Sequence, residues 1–101
     1  MKSNKLIYAV IIAGVVLVAG YLIIKPKLAQ NNYNKGLVLL DSAKYQEAYE
    51  YFDKAVKMNS KKPDYLFKRG VALAGLNKDS VALLDFSKAI AMDSVRFDYF
   101  M

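Results

Sequence analysis

From Leu6 to Ile24 the chain runs for nineteen residues without a charge, and beyond that run apolar positions recur at steps of three and four. The first pattern has no polar face. At about 1.5 Å per residue the run spans about 28 Å, close to the hydrocarbon thickness of a bilayer. Many of its residues are β-branched and form helices poorly in water. In lipid the backbone has no other way to satisfy its hydrogen bonds, so a helix is predicted. Lys2 and Lys5 precede the run, Lys25 and Lys27 follow it, and Tyr8 and Tyr21 lie near its ends, where aromatic rings favour the interface. The rival reading is a cleaved signal segment, with Val18-Ala19-Gly20 as small residues for cleavage. Against it, the apolar stretch continues through Ile24, beyond the usual core of about 7–15 residues. The expected organisation is therefore a basic tail over residues 1–5, an uncleaved transmembrane helix over residues 6–24 and a juxtamembrane linker over residues 25–28. A short basic tail ahead of a first apolar helix ordinarily stays in the cytoplasm, which favours repeats on the outer side. The basic residues flanking the run are nearly equal in number on its two sides.

The second pattern is amphipathic. Tyr33, Gly36, Leu37, Leu39 and Leu40 mark one helix, Asp41-Ser42-Ala43-Lys44 a turn, and Tyr45, Ala48, Tyr49, Phe52, Ala55 and Val56 a second helix. The motif then starts again. Pro63 suits the first turn of a helix that carries Leu66, Phe67, Gly70, Val71, Leu73 and Ala74. After the turn Gly75-Leu76-Asn77-Lys78, Asp79 or Ser80 is expected to cap a helix carrying Val81, Ala82, Leu83, Phe86, Ala89 and Ile90. Shifting the chain by 34 positions superposes Gly36 on Gly70, Leu39 on Leu73, Ala48 on Ala82, Phe52 on Phe86, Ala55 on Ala89 and Met58 on Met92, among eleven identities without a gap. Self-similarity at a fixed period of this size signals a repeat array, here residues 29–62 and 63–96. Residues 97–101 start a third unit, since Asp98-Tyr99 copies Asp64-Tyr65. Tyr99, Phe100 and Met101 would leave an apolar end uncovered, to be closed by more chain or by a partner.

These residues resemble the tetratricopeptide repeat family, whose 34-residue unit follows the pattern W-x2-L-G-x2-Y…A-x3-F…P. The resemblance runs through Gly36, Leu39, Tyr45, Ala48, Phe52 and Ala55, then Gly70, Leu73, Ala82, Phe86 and Ala89. It departs where Lys35 and Arg69 replace the usual Leu, Asn32 stands where Trp is common, and Ser60 and Ser94 replace the closing Pro. The fold implied is all-α, a transmembrane helix followed by a short α-solenoid. In it the glycines and alanines let paired helices approach, and Phe52 and Phe86 fill the space between successive pairs. The implied function is protein–protein interaction, with a peptide or helix held in a groove lined by the first helix of each unit. The corresponding positions are Gln30, Tyr33, Asn34, Leu37 and Leu40, then Asp64, Phe67, Lys68 and Val71. Tyr33, Leu37, Phe67 and Val71 form an apolar strip suited to such a ligand, and a short array can equally fold them into its own core.

Composition removes most alternatives. With no Cys and no His, disulfides, Cys/His metal sites and thiol or imidazole catalysis are excluded. No phosphate-binding glycine loop or catalytic triad is present, and no cofactor is expected. Glu47, Glu50 and Asp53 read as outer-face partners of Lys44, Lys54 and Lys57. The net charge of +6 is spread without a dense basic run, which argues against nucleic acid. The expectation is a non-catalytic, membrane-anchored scaffold. A structural subunit of a membrane complex and an exported soluble repeat protein are the alternatives. Self-association is expected either through the transmembrane helix, where Ala9, Ala13 and Gly20 share a side, or through the uncapped C-terminal end.

Overall fold

A computed structural model of the chain describes residues 2–97, with side chains described for residues 4–93. Four helices follow in order: α1 Lys2–Asp41, α2 Tyr45–Met58, α3 Pro63–Gly75 and α4 Asp79–Phe97. Among the described residues there is no strand. Each helix packs on the next, α1 on α2, α2 on α3 and α3 on α4, with a slight contact between α1 and α3. This is a stack of two helical hairpins.

The first hairpin borrows the end of a much longer helix. α1 has 40 residues and passes through Pro26 without a break, so residues 25–28 are helical and not a separate linker. A proline inside a helix removes one hydrogen bond and crowds the carbonyl four residues earlier, at a cost of about 3 kcal/mol. The helix persists because it is held on both sides of that point. The apolar run before it is helical throughout, and Ala29, just after it, is completely buried in the core. From Asn4 to Ala19 every residue is exposed, so the rod packs on no other helix among the described residues.

Both hairpin turns use the same hydrogen bonds, 34 residues apart. The amide of Lys44 donates to the carbonyl of Leu39 at 2.9 Å, and that of Ala43 to Leu40 at 3.0 Å. Lys78 donates to Leu73 at 2.9 Å and Asn77 to Ala74 at 3.0 Å. This paired pattern closes the exposed carbonyls of a helix end and needs one residue in the left-handed region. Ala43 at φ 57° and Asn77 at φ 61° supply it. Gly75 lies inside α3 and takes no part in this conformation. Asp79 is the first residue of α4, and Lys78 holds the capping position expected for an acid or a serine. In α2 the equivalent Lys44 makes no side-chain cap.

The connection between the hairpins is built differently. Lys62 is extended, as a residue before proline prefers, and Pro63 opens α3. Asn59 accepts a hydrogen bond from the Lys61 amide at 3.2 Å through its side chain. The 34-residue shift places Phe97 where Pro63 stands, so nothing stops α4, which continues through Phe97. Of residues 97–101, expected to open a third unit, 98–101 lie outside the described residues.

Two clusters form the core. Phe52, Ala48 and Ala72 gather Leu37, Leu39, Leu40 and Tyr49 at the end near the hairpin turns. Ala29, Ala55, Val56, Tyr65, Leu66 and Ala89 form the other cluster, and Tyr33 packs against both. Helix spacing is set by glycine. A Cβ on Gly36 would lie 2.5 Å from the Phe52 ring, one on Gly70 2.7 Å from Phe86, and one on Gly75 2.4 Å from Tyr45. The first two contacts join the helices of one hairpin, and the third joins α2 to the end of α3.

Candidate functional site

The first helices of the two units, the last part of α1 and α3, carry the residues expected to line a groove. The structure divides them into two groups. Gln30, Asn34 and Asp64 are exposed, as is Phe67, whereas Tyr33, Leu37, Leu40, Lys68 and Val71 are half-buried. Leu37 and Leu40 lean on the Ala48–Phe52–Ala72 cluster.

Tyr33 is part of the packing between units. Its ring lies 5.7 Å from Phe52 and 4.8 Å from Tyr65. Phe67, 34 positions later, repeats the first contact with Phe86 at 5.2 Å. Tyr65 covers Tyr33, and among the described residues no later helix covers Phe67. This explains why Phe67 is 45% exposed. The polar rim is ordered as well. The Tyr65 hydroxyl donates to Gln30 Oε1 at 3.0 Å, and Gln30 Nε2 donates to Asn34 Oδ1 at 3.0 Å. Burial first, then the Asp64 carboxylate, hold the hydroxyls of Tyr33 and Tyr65 above the ordinary tyrosine value.

A charged cluster that the sequence did not announce sits between the units. Arg69 donates from Nε and Nη2 to the two oxygens of Asp85 at 2.8 Å each, and from Nη1 to Asp53 Oδ1 at 2.9 Å. Lys57 completes it at 2.9 Å from Asp53 Oδ2. Asp53, expected on the outer face of α2, is therefore turned towards α3. The hydrogen bond from Asp85 chiefly, against the opposing effect of burial, raises Arg69 above its ordinary value. The signal was present in α4: Asp85 falls on the same stripe as Ala82, Phe86 and Ala89, and a carboxylate on an apolar stripe calls for a cation. In the first unit the equivalent pair is Lys35 and Tyr51, with the Lys35 ammonium 5.7 Å from the ring centre. The charges cross-link α2, α3 and α4.

Two other surfaces are apolar. Along α1, Ile11, Gly14, Val15, Val18, Ala19 and Leu22 line a shallow, open depression, on the side away from Ala9, Ala13 and Gly20. On α4, Leu83 and Ile90 are 61% and 64% exposed, although Val56, the counterpart of Ile90 in α2, is 8% exposed beneath α3.

Residues 29–62 match the family model of the tetratricopeptide repeat. A curated relative, the UDP-N-acetylglucosamine–peptide N-acetylglucosaminyltransferase of Giardia intestinalis, is 34% identical over 68 residues, which is 67% of this chain. The chain spans 5% of that protein's length, and the transferase activity belongs to that protein. No solved structure matches the chain.

Proposed function

We propose that the chain is a non-catalytic scaffold, held in a membrane by α1, whose tetratricopeptide hairpins bind a peptide or helix of a partner protein. The observation that carries the binding reading is that α1 and α3, the first helices of the two hairpins, meet side by side in a slight contact. Their shared face offers exposed Asn34 and Phe67 beside half-buried Leu37 and Val71. Such a strip, apolar at its floor and amide-bearing at its rim, suits an amphipathic helix. The match of residues 29–62 to a repeat model supports an interaction role.

The membrane reading is supported by the rod itself. Leu17 and Ile23 are 74% and 70% exposed within a helix whose apolar length matches a bilayer. A contiguous apolar surface of that size in water is a liability that lipid removes. The short basic tail ahead of it favours a cytoplasmic N-terminus, with the repeats across the membrane.

A photo-crosslinker at Asn34 or Phe67 in the membrane-embedded chain is expected to trap one protein repeatedly. The same probe at Lys54 or Lys88, on the second helices, is expected not to. Equal capture from both sides removes the groove assignment. The apolar depression on α1 favours a second reading, a structural subunit whose main contacts lie within the membrane. Exchanging residues 6–24 for an unrelated apolar segment separates the two readings, because only the scaffold tolerates it.

A further inference from the structure

We propose that the α2–α3 turn docks on anionic lipid headgroups, with Lys61 and Lys62 joining Lys25 and Lys27 in one basic surface. This rests on α1 being the membrane anchor. Because α1 is continuous through Pro26, the helix and not a flexible tether sets how far along the rod the repeats lie, and tilt of the rod brings the turn onto the surface or lifts it away. Two contacts fix where the turn lies along α1. Met58, at the end of α2, receives the Asn32 amide at 3.7 Å on its sulfur, and Tyr65, near the start of α3, bonds Gln30 at 3.0 Å. Residues 59–62 lie beyond both contacts, on the side facing Lys27. From Ile24, the last apolar residue, that level is three to five residues away, or about 5–7 Å at 1.5 Å per residue. The headgroup layer on each side of a bilayer is about 5–7 Å thick. The turn therefore falls within it.

Charge points the same way. Lys27, Lys61 and Lys62 are exposed and Lys25 is half-buried, and among the described residues none of the four has a carboxylate partner. Lys62 instead lies 5.8 Å from the Tyr65 ring centre, and Lys25 5.9 Å from that of Tyr21. Other groups at this end are Lys57, already paired to Asp53, with Asp64 and Asp93 as the acids. The opposite end, with the two hairpin turns, mixes Lys44 and Lys78 with Asp41, Glu47 and Asp79. Among the described residues the end that α1 presents to the membrane is thus mainly basic, whereas the opposite end is mixed. Bases near an anionic surface contribute about 1 kcal/mol each, so Lys61 and Lys62 together favour the docked state about 30-fold.

The chain has no native cysteine, so single nitroxide labels can be placed at Ser60, Ser42 and Val16 of the full chain. The labelled chains go into vesicles of phosphatidylcholine with and without phosphatidylglycerol. Collisions with oxygen and with a nickel chelate then report depth. With phosphatidylglycerol present, position 60 is expected at headgroup depth, shielded from the chelate, and position 42 in open water. Lys61→Glu with Lys62→Glu is expected to release position 60. A position 60 as open as position 42, or a depth indifferent to phosphatidylglycerol, overturns the proposal while Val16 still reports the bilayer interior. A water-exposed Val16 label overturns the anchor reading itself.

Discussion

Arg69 grips Asp85 with two hydrogen bonds of 2.8 Å and holds Asp53 with its remaining arm at 2.9 Å, so one side chain ties three helices together. Asp85 is 3% exposed, which places the carboxylate out of reach of water. Such a charge is tolerated only while its partner stays. Arg69→Leu is expected to destabilise the repeats by about 3 kcal/mol, measured by urea denaturation of the full chain in detergent. Adding Asp85→Leu to that variant is expected to recover most of the loss, because an apolar pair avoids the desolvation of two ions. Additive losses in the double variant would refute this account of the pair.

The glycine contacts separate into two classes. A methyl group on Gly36 meets the side of the Phe52 ring, and Phe52 is completely buried. Gly36→Ala is expected to cost about 1–3 kcal/mol by overpacking. Gly14→Ala and Gly20→Ala meet nothing within 4 Å and are expected to leave the urea midpoint of the repeats unchanged.

Ala43 holds a left-handed conformation at φ 57° that costs an L-residue with a Cβ about 1–2 kcal/mol. Glycine there is free of that cost, so Ala43→Gly is expected to stabilise the first hairpin by about 1 kcal/mol. Asn77 sits in the matching place, where asparagine already tolerates the conformation, so Asn77→Gly is expected to gain less. Parallel urea denaturations of the two variants test the ordering.

Tyr33 and Tyr65 give the module an alkaline limit. Both hydroxyls hold their protons more tightly in the folded chain than at the ordinary value of 10.0, because burial and the Asp64 carboxylate disfavour the phenolate. Their contribution is intact below pH 10.0 and is lost as pH climbs through that value and the raised folded ones. A stability profile that declines above pH 10 in the native chain is expected to flatten in Tyr33→Phe with Tyr65→Phe. An unchanged decline would assign it to other groups.

The helical hairpins were legible because their signals are local and periodic. Alternation at three and four residues, Pro63 at a helix start, and Gly36 aligned with Gly70 in a 34-residue register all follow from backbone geometry and short-range crowding. The hairpin turns were legible in position but not in mechanism: the left-handed residues are Ala43 and Asn77, while Gly75 is small for the sake of the Tyr45 ring. That reason lies thirty residues away in sequence and belongs to packing. Arg69 looked like a departure from an apolar position, and only the meeting of α2, α3 and α4 shows which carboxylates it satisfies. The same holds for Tyr33, whose ring is drawn into the packing between the hairpins by Tyr65.

Sequence alone determined the apolar rod, the repeat period and the helix type, since each depends on neighbours within a few turns. Tertiary structure decided the rest. It carried α1 unbroken past Pro26, because burial of Ala29 anchors the helix directly beyond the proline. It also held the two ends of the α2–α3 turn against Asn32 and Gln30, because contacts across the hairpins, and not distance along the chain, set where that turn lies on α1.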